Sequence, residues 1–158
     1  MRVGITGHRG LSAQLEQQVR DSLDTALQVY HANDLCGVSC IADGPDAWFA
    51  EAVLDRGGRI EVVVPAEEYR AGLPESHHAT YDALLVQATE VHHTGVRDST
   101  SQAHMSGSEI LVGLVDRLIA VWDGQPARGY GGTADVVAYA RSTGVPVEVI
   151  WPDGATRD

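Results

Sequence analysis

Between Asp123 and Thr133 the chain packs Gly124, Gly129, Gly131 and Gly132 ahead of Thr133. Glycine lets backbone approach a ligand closely, and a helix start offers unpaired N–H groups and the positive end of a dipole. The expected chemistry is anion binding, with a phosphate at Gly131, Gly132 and Thr133. The same residues also fit a plain glycine-rich turn that Thr133 caps. Gly7-His8-Arg9-Gly10 forms a second cluster. Arg9 and Arg128 carry guanidinium groups able to grip two phosphate oxygens, and His8 could bond a ligand or close its turn. Asp43-Gly44-Pro45-Asp46 forms a third, in which Asp46 could hold a ribose hydroxyl or simply top a helix. Tyr130, inside the glycine loop, is placed to stack on a base.

Two carboxylates suit bond cleavage rather than binding. Bond cleavage by water needs a carboxylate beside a positioned water molecule. Asp135 in the first turn after the glycine loop, or Glu109, could activate that water. Each has a structural reading too. Asp135 would stabilise a helix dipole, and Ser106-Gly107-Ser108-Glu109 matches a capping box. His77-His78, His92-His93 and His104 lack metal-ligand spacing, so no metal is expected, and no cofactor either. Ser106 and Ser108 lack a G-x-S-x-G setting. Trp48, Phe49 and Tyr81 read as core.

These clusters must be held by elements, and the hydropathy pattern supplies them. Short apolar runs at Arg2 to Thr6, Leu35 to Ala42, Arg59 to Val64, Leu118 to Trp122 and Val145 to Trp151 read as strands. Helical spacing follows Ser12 to about Tyr30, Pro45 to Gly57, His77 to Ala88, Ser106 to Val115, and the segment after Thr133. Alternation of this kind predicts one doubly wound α/β domain with a mainly parallel sheet of about five strands. Thr89 to Met105 reads as an irregular loop or lid. The domain is expected over residues 1–152, with 153–158 as a frayed tail. In such sheets ligands collect beyond the carboxyl ends of the strands. Gly7, Gly44, Asp46, Asp123 and the glycine loop all fall at those ends.

The 158 residues carry 22 acidic and 11 basic side chains, a formal net charge of −11. That balance opposes non-specific binding to nucleic acid and to anionic membrane, so both are disfavoured as partners. No apolar run reaches the length of a membrane span, and a cytoplasmic location is expected. Cys36 and Cys40 would sit about 13 Å apart on one strand, too far for a disulfide.

GITGHRG, and RLIAVWDG followed by GGTADVVAYA, resemble the SLOG (SMF/DprA–LOG) superfamily of Rossmann-like proteins, closest to its YpsA-like and LOG-like branches. The resemblance covers nearly the whole chain. It implies a nucleotide-derived ligand with its phosphate on the GGT helix start, and a homo-oligomer. Gly4-Gly7-Gly10 is not the dinucleotide fingerprint. LOG enzymes cleave nucleoside monophosphates with a PGGxGTxxE motif. Here Arg128 stands at the proline, Val136 at the glutamate, and Asp135 one position earlier. Two functions follow. One is a sensor or carrier module that binds a nucleotide or phosphoribosyl ligand. The other is a LOG-like N-glycosidase using Glu109 or Asp135.

Overall fold

The computed structural model describes residues 1–157; Asp158, the last residue of the expected tail, lies outside the described residues. Six strands form one all-parallel sheet: β1 (Arg2–Gly7), β2 (Cys36–Ser39), β3 (Arg59–Val64), β4 (Glu90–His93), β5 (Arg117–Val121) and β6 (Val147–Ile150), in the order β4-β3-β2-β1-β5-β6. The central strands read as continuous apolar runs because both faces are covered. Helices α1 (Ala13–Leu27), α2 (Pro45–Asp55) and α4 (His78–Gln87) make one layer. On the opposite side α5 (Ser101–Leu114) packs against β1, β2 and β3, and α6 (Thr133–Ser142) packs against β1, β5 and β6. A single-turn helix, α3 (Tyr69–Gly72), follows β3. No helix among the described residues is long and apolar enough to cross a membrane.

The strand order reverses at β1. The chain steps outward from β1 through β2 and β3 to β4, then returns to place β5 on the other side of β1, with Gly7 opposite Val121. A crevice opens where the connections leave in opposite directions. Gly7 matters to this close approach. A β-carbon there would lie 2.8 Å from Pro45 Cβ and 3.0 Å from Val121 Cβ.

Two expectations are corrected. The sheet has six strands, because Glu90–His93 forms β4 inside the stretch read as irregular. It is a half-exposed edge strand, so its sequence lacks an apolar run. The capping box is not one: α5 starts at Ser101, with Thr100 Oγ1 accepting the Ala103 N–H at 3.1 Å, and Glu109 lies mid-helix. Gly107 instead permits contact, since a β-carbon there would sit 2.6 Å from Pro65 Cβ.

Candidate functional site

A cavity of about 280 Å³ occupies the crevice between the ends of β1 and β5. Its walls come from the β1 end (Thr6, Gly7, His8, Arg9), the region after β2 (Cys40, Ala42, Asp46), Pro65 and Tyr69, α5 (His104, Ser108, Leu111), and the loop before α6 (Gly129 to Thr133). Arg157 reaches it from the C-terminal segment.

The α6 terminus forms one wall. Gly132 is the N-cap residue and Thr133, only 6% exposed, begins the helix. Among the described residues neither the Thr133 nor the Ala134 amide has an acceptor, as expected for a first helical turn. The Thr133 hydroxyl has no hydrogen-bond partner there either. The Gly131 amide is already used: it donates to Asp135 Oδ2 at 2.9 Å. Gly131 adopts φ +85°, and a β-carbon there would lie 3.0 Å from the Ser101 carbonyl oxygen.

His8 joins the β1 and β5 loops. Its amide donates to the Val121 carbonyl at 3.1 Å, and its Nε2 lies 3.1 Å from both the Asp123 amide and Asp123 Oδ1. Its ring meets Trp151 edge-on at 5.6 Å. Burial pushes the imidazole pKa down more than the Asp123 hydrogen bond raises it. Burial works against the Asp123 carboxylate as well, but hydrogen bonds from the Gln125 amide and His8 outweigh it and hold its carboxyl below the usual range.

Arg9 pairs with Asp43, Nη2 to Oδ1 at 2.6 Å, while still lining the cavity. Asp46, near the start of α2, is different. Burial pushes its carboxyl up to about 7, against the Ala42 amide and the Arg9 charge, which lower it; Asp43 raises it further. Half-buried His104 has its pKa lowered by desolvation and then by Arg9, and its Nε2 lies 2.7 Å from Ser99 Oγ.

Of the residues singled out from sequence, the fold brings Gly7, His8, Arg9, Asp46, Gly129, Tyr130, Gly131, Gly132 and Thr133 to one cavity. Gly44 caps α2 behind it, and Asp123 stands behind His8. Arg128 does not line it. Its Nη2 donates to the Arg157 carbonyl at 3.3 Å, and Arg157 takes the position in the wall. After β6 the chain turns back, with Trp151 Nε1 donating to the Ala155 carbonyl at 3.1 Å. Neither proposed catalytic carboxylate reaches the cavity. Asp135 is held on the Gly131 amide, and Glu109 sits on a different face of α5 from His104, Ser108 and Leu111. Tyr69, His104, Ser108 and Arg157 were not foreseen. Outside this cavity, Glu61, Glu90 and His92 gather potential metal-ligand atoms within 4.8 Å of one another, but Glu61 is already bonded by Arg2, Cys36 and His92.

No family model matches the chain. Two Halobacterium salinarum proteins, from different strains and each described as "Putative adenylate kinase", are 40% identical over 94 residues, covering 54% of this chain and 50% of theirs. The chain spans about half the length of these curated relatives. All 11 of its basic residues are arginine, so it has no lysine to serve a G-x-x-x-x-G-K phosphate loop. Among solved structures, DNA processing protein A from Helicobacter pylori matches with a TM-score of 0.70 at 18% identity, over 94% of this chain and 64% of that one. Its counterpart from Streptococcus pneumoniae matches at 0.67 and 19%, over 94% and 49%. The structural-genomics target TM1055 matches at 0.59 and 20%, over 92% and 71%. These likenesses establish a Rossmann-like α/β fold and agree, at the level of fold, with the SLOG resemblance.

They also correct one expectation. Net charge disfavours nucleic acid as a partner, yet the Helicobacter pylori protein, whose structure describes a single-stranded DNA binding mode, shares this fold. An overall charge of −11 is an average over the surface, and one wall with a helix terminus and arginines can differ from it.

Proposed function

We propose that the chain binds a nucleotide or nucleotide-like phosphoribosyl ligand in the crevice between β1 and β5, with its phosphate on the α6 terminus. The observation that carries this reading is the pairing of unsatisfied Thr133 and Ala134 amides with a nearly buried Thr133 hydroxyl at one cavity wall. Arg9 and Arg157 supply positive charge nearby. The cavity lies just below the usual range of about 300–1,000 Å³ for small-molecule sites, which favours one nucleotide over a dinucleotide. The two segments that carry the SLOG resemblance meet through the His8–Asp123 contact, which supports placing the chain in that superfamily near the YpsA-like branch. The hydrolytic reading is weaker here, because Glu109 and Asp135 stand outside the cavity.

The test is a thermal-shift and calorimetric panel of nucleoside mono-, di- and triphosphates, with a short single-stranded oligonucleotide as a further member. Saturable stabilisation by a mononucleotide is expected, without free base on chromatography. Tighter binding of the oligonucleotide moves the reading to nucleic acid, and base release moves it to hydrolysis.

A further inference from the structure

The cavity wall contributed by Asp46, Tyr69, His104 and Ser108 is also polar. Tyr69 is 5% exposed and lines the cavity, yet among the described residues its hydroxyl has no hydrogen-bond partner. Tyr69 lines the cavity, so its hydroxyl is available to a hydrogen-bonding group placed there. The same cavity is lined by Asp46, by His104, edge-on to Tyr69 at 5.5 Å, and by Ser108.

The strand end that presents Asp46 is held firmly. Ser39, fully buried, donates from Oγ to the Asp46 carbonyl at 2.9 Å and accepts the Ile41 amide at 2.9 Å. Ile41 has φ +47°, a conformation that a β-branched residue adopts only under constraint. His77 Nε2 lies 2.9 Å from the Ile41 carbonyl and completes the clasp.

We infer that Asp46, Tyr69 and His104 form a ribose subsite, receiving the vicinal hydroxyls of the sugar while the phosphate rests on α6. This rests on the proposed nucleotide reading and deepens it: the ligand class is ribo- rather than deoxyribo-, and the sugar phosphate rather than the base is selected. The chemistry favours hydroxyls. Asp46 can accept from two of them, while Tyr69 and Ser108 can each donate or accept. A flat base needs a parallel face, and Tyr69 meets His104 edge-on at an interplanar angle of 81°. The exposed face belongs to Tyr130 at the rim, 63% exposed. A cavity of about 280 Å³ accommodates a phosphate and a pentose, leaving the base at that rim.

Calorimetry with AMP, 2′-deoxy-AMP and ribose 5-phosphate tests this on the wild type, Tyr69→Phe and Asp46→Asn, each first checked for an intact melting transition. AMP should bind about tenfold tighter than 2′-deoxy-AMP, the usual effect of losing one hydrogen bond. Ribose 5-phosphate should compete with AMP. Both variants should lose most of the preference for AMP over 2′-deoxy-AMP, whereas a general disruption would weaken both ligands alike and leave their ratio unchanged. Equal wild-type affinity for AMP and 2′-deoxy-AMP overturns the ribose subsite and leaves the nucleotide reading standing. Absence of binding by all three overturns both.

Discussion

Asp46 carries an acid–base signature that can be measured without any ligand. Burial raises its folded pKa to about 7, opposed by the Ala42 amide and Arg9 and reinforced by Asp43. An unfolded Asp titrates near 4. Between those values the folded chain holds a proton that the unfolded chain has released, so stability falls as pH rises. The contribution is fully present below the unfolded value and lost as pH passes through the folded one. Urea denaturation of wild type and Asp46→Asn should therefore show the wild type losing stability relative to the variant from about pH 4 to about pH 7, by on the order of a few kcal/mol, then levelling off. A difference that is flat with pH contradicts this environment for Asp46. Gly131→Ala should cost about 1–2 kcal/mol, because φ +85° places an L-residue in the left-handed region and its Cβ would press on the Ser101 carbonyl. An unchanged denaturation midpoint would rule out that backbone geometry.

Helix α5 positions the unforeseen half of the cavity, and its approach to the sheet depends on Gly107. Gly107→Ala would put a β-carbon 2.6 Å from Pro65 Cβ, displacing the helix that carries His104 and Ser108. Overpacking of this kind costs about 1–3 kcal/mol, and nucleotide affinity should fall with it. Full stability together with full affinity would show that the contact is slack. The glycine loop was legible in the sequence, because glycines ahead of Thr133 and an apolar spacing after it are local signals. The contribution of α5 was not. S-x-x-E at Ser106 to Glu109 is a local pattern too, but the helix had already begun at Thr100, through His- and Ser-rich residues that hide its period. Strand β4 escaped notice because an edge strand need not be apolar, and Glu90-Val91-His92-His93 is not. Tyr69 and His104 come together only through the path of the chain over the sheet, which no local spacing encodes.

At the scale of the whole molecule, the C-terminal segment reaches the crevice through Arg157. Residues after β6 turn back, and Arg157 enters the wall in place of Arg128. Alternating apolar runs and helices announce a parallel, doubly wound sheet, so the α/β class is legible in the sequence, while the strand order around β1 is not. The return of the last few residues depends on single contacts such as Trp151 Nε1 to Ala155, which composition does not announce. Removing residues 153–158 should leave the sheet folded and weaken nucleotide binding about tenfold, in keeping with the loss of a charged hydrogen-bond donor. Undiminished affinity would remove Arg157 from the site. The most direct measurement is a crystal structure of the protein with a saturating nucleoside monophosphate. The phosphorus is predicted over the Thr133 and Ala134 amides, within hydrogen-bond reach of the Thr133 hydroxyl. A nucleotide lodged elsewhere, or a crevice left empty at saturation, contradicts the proposed site.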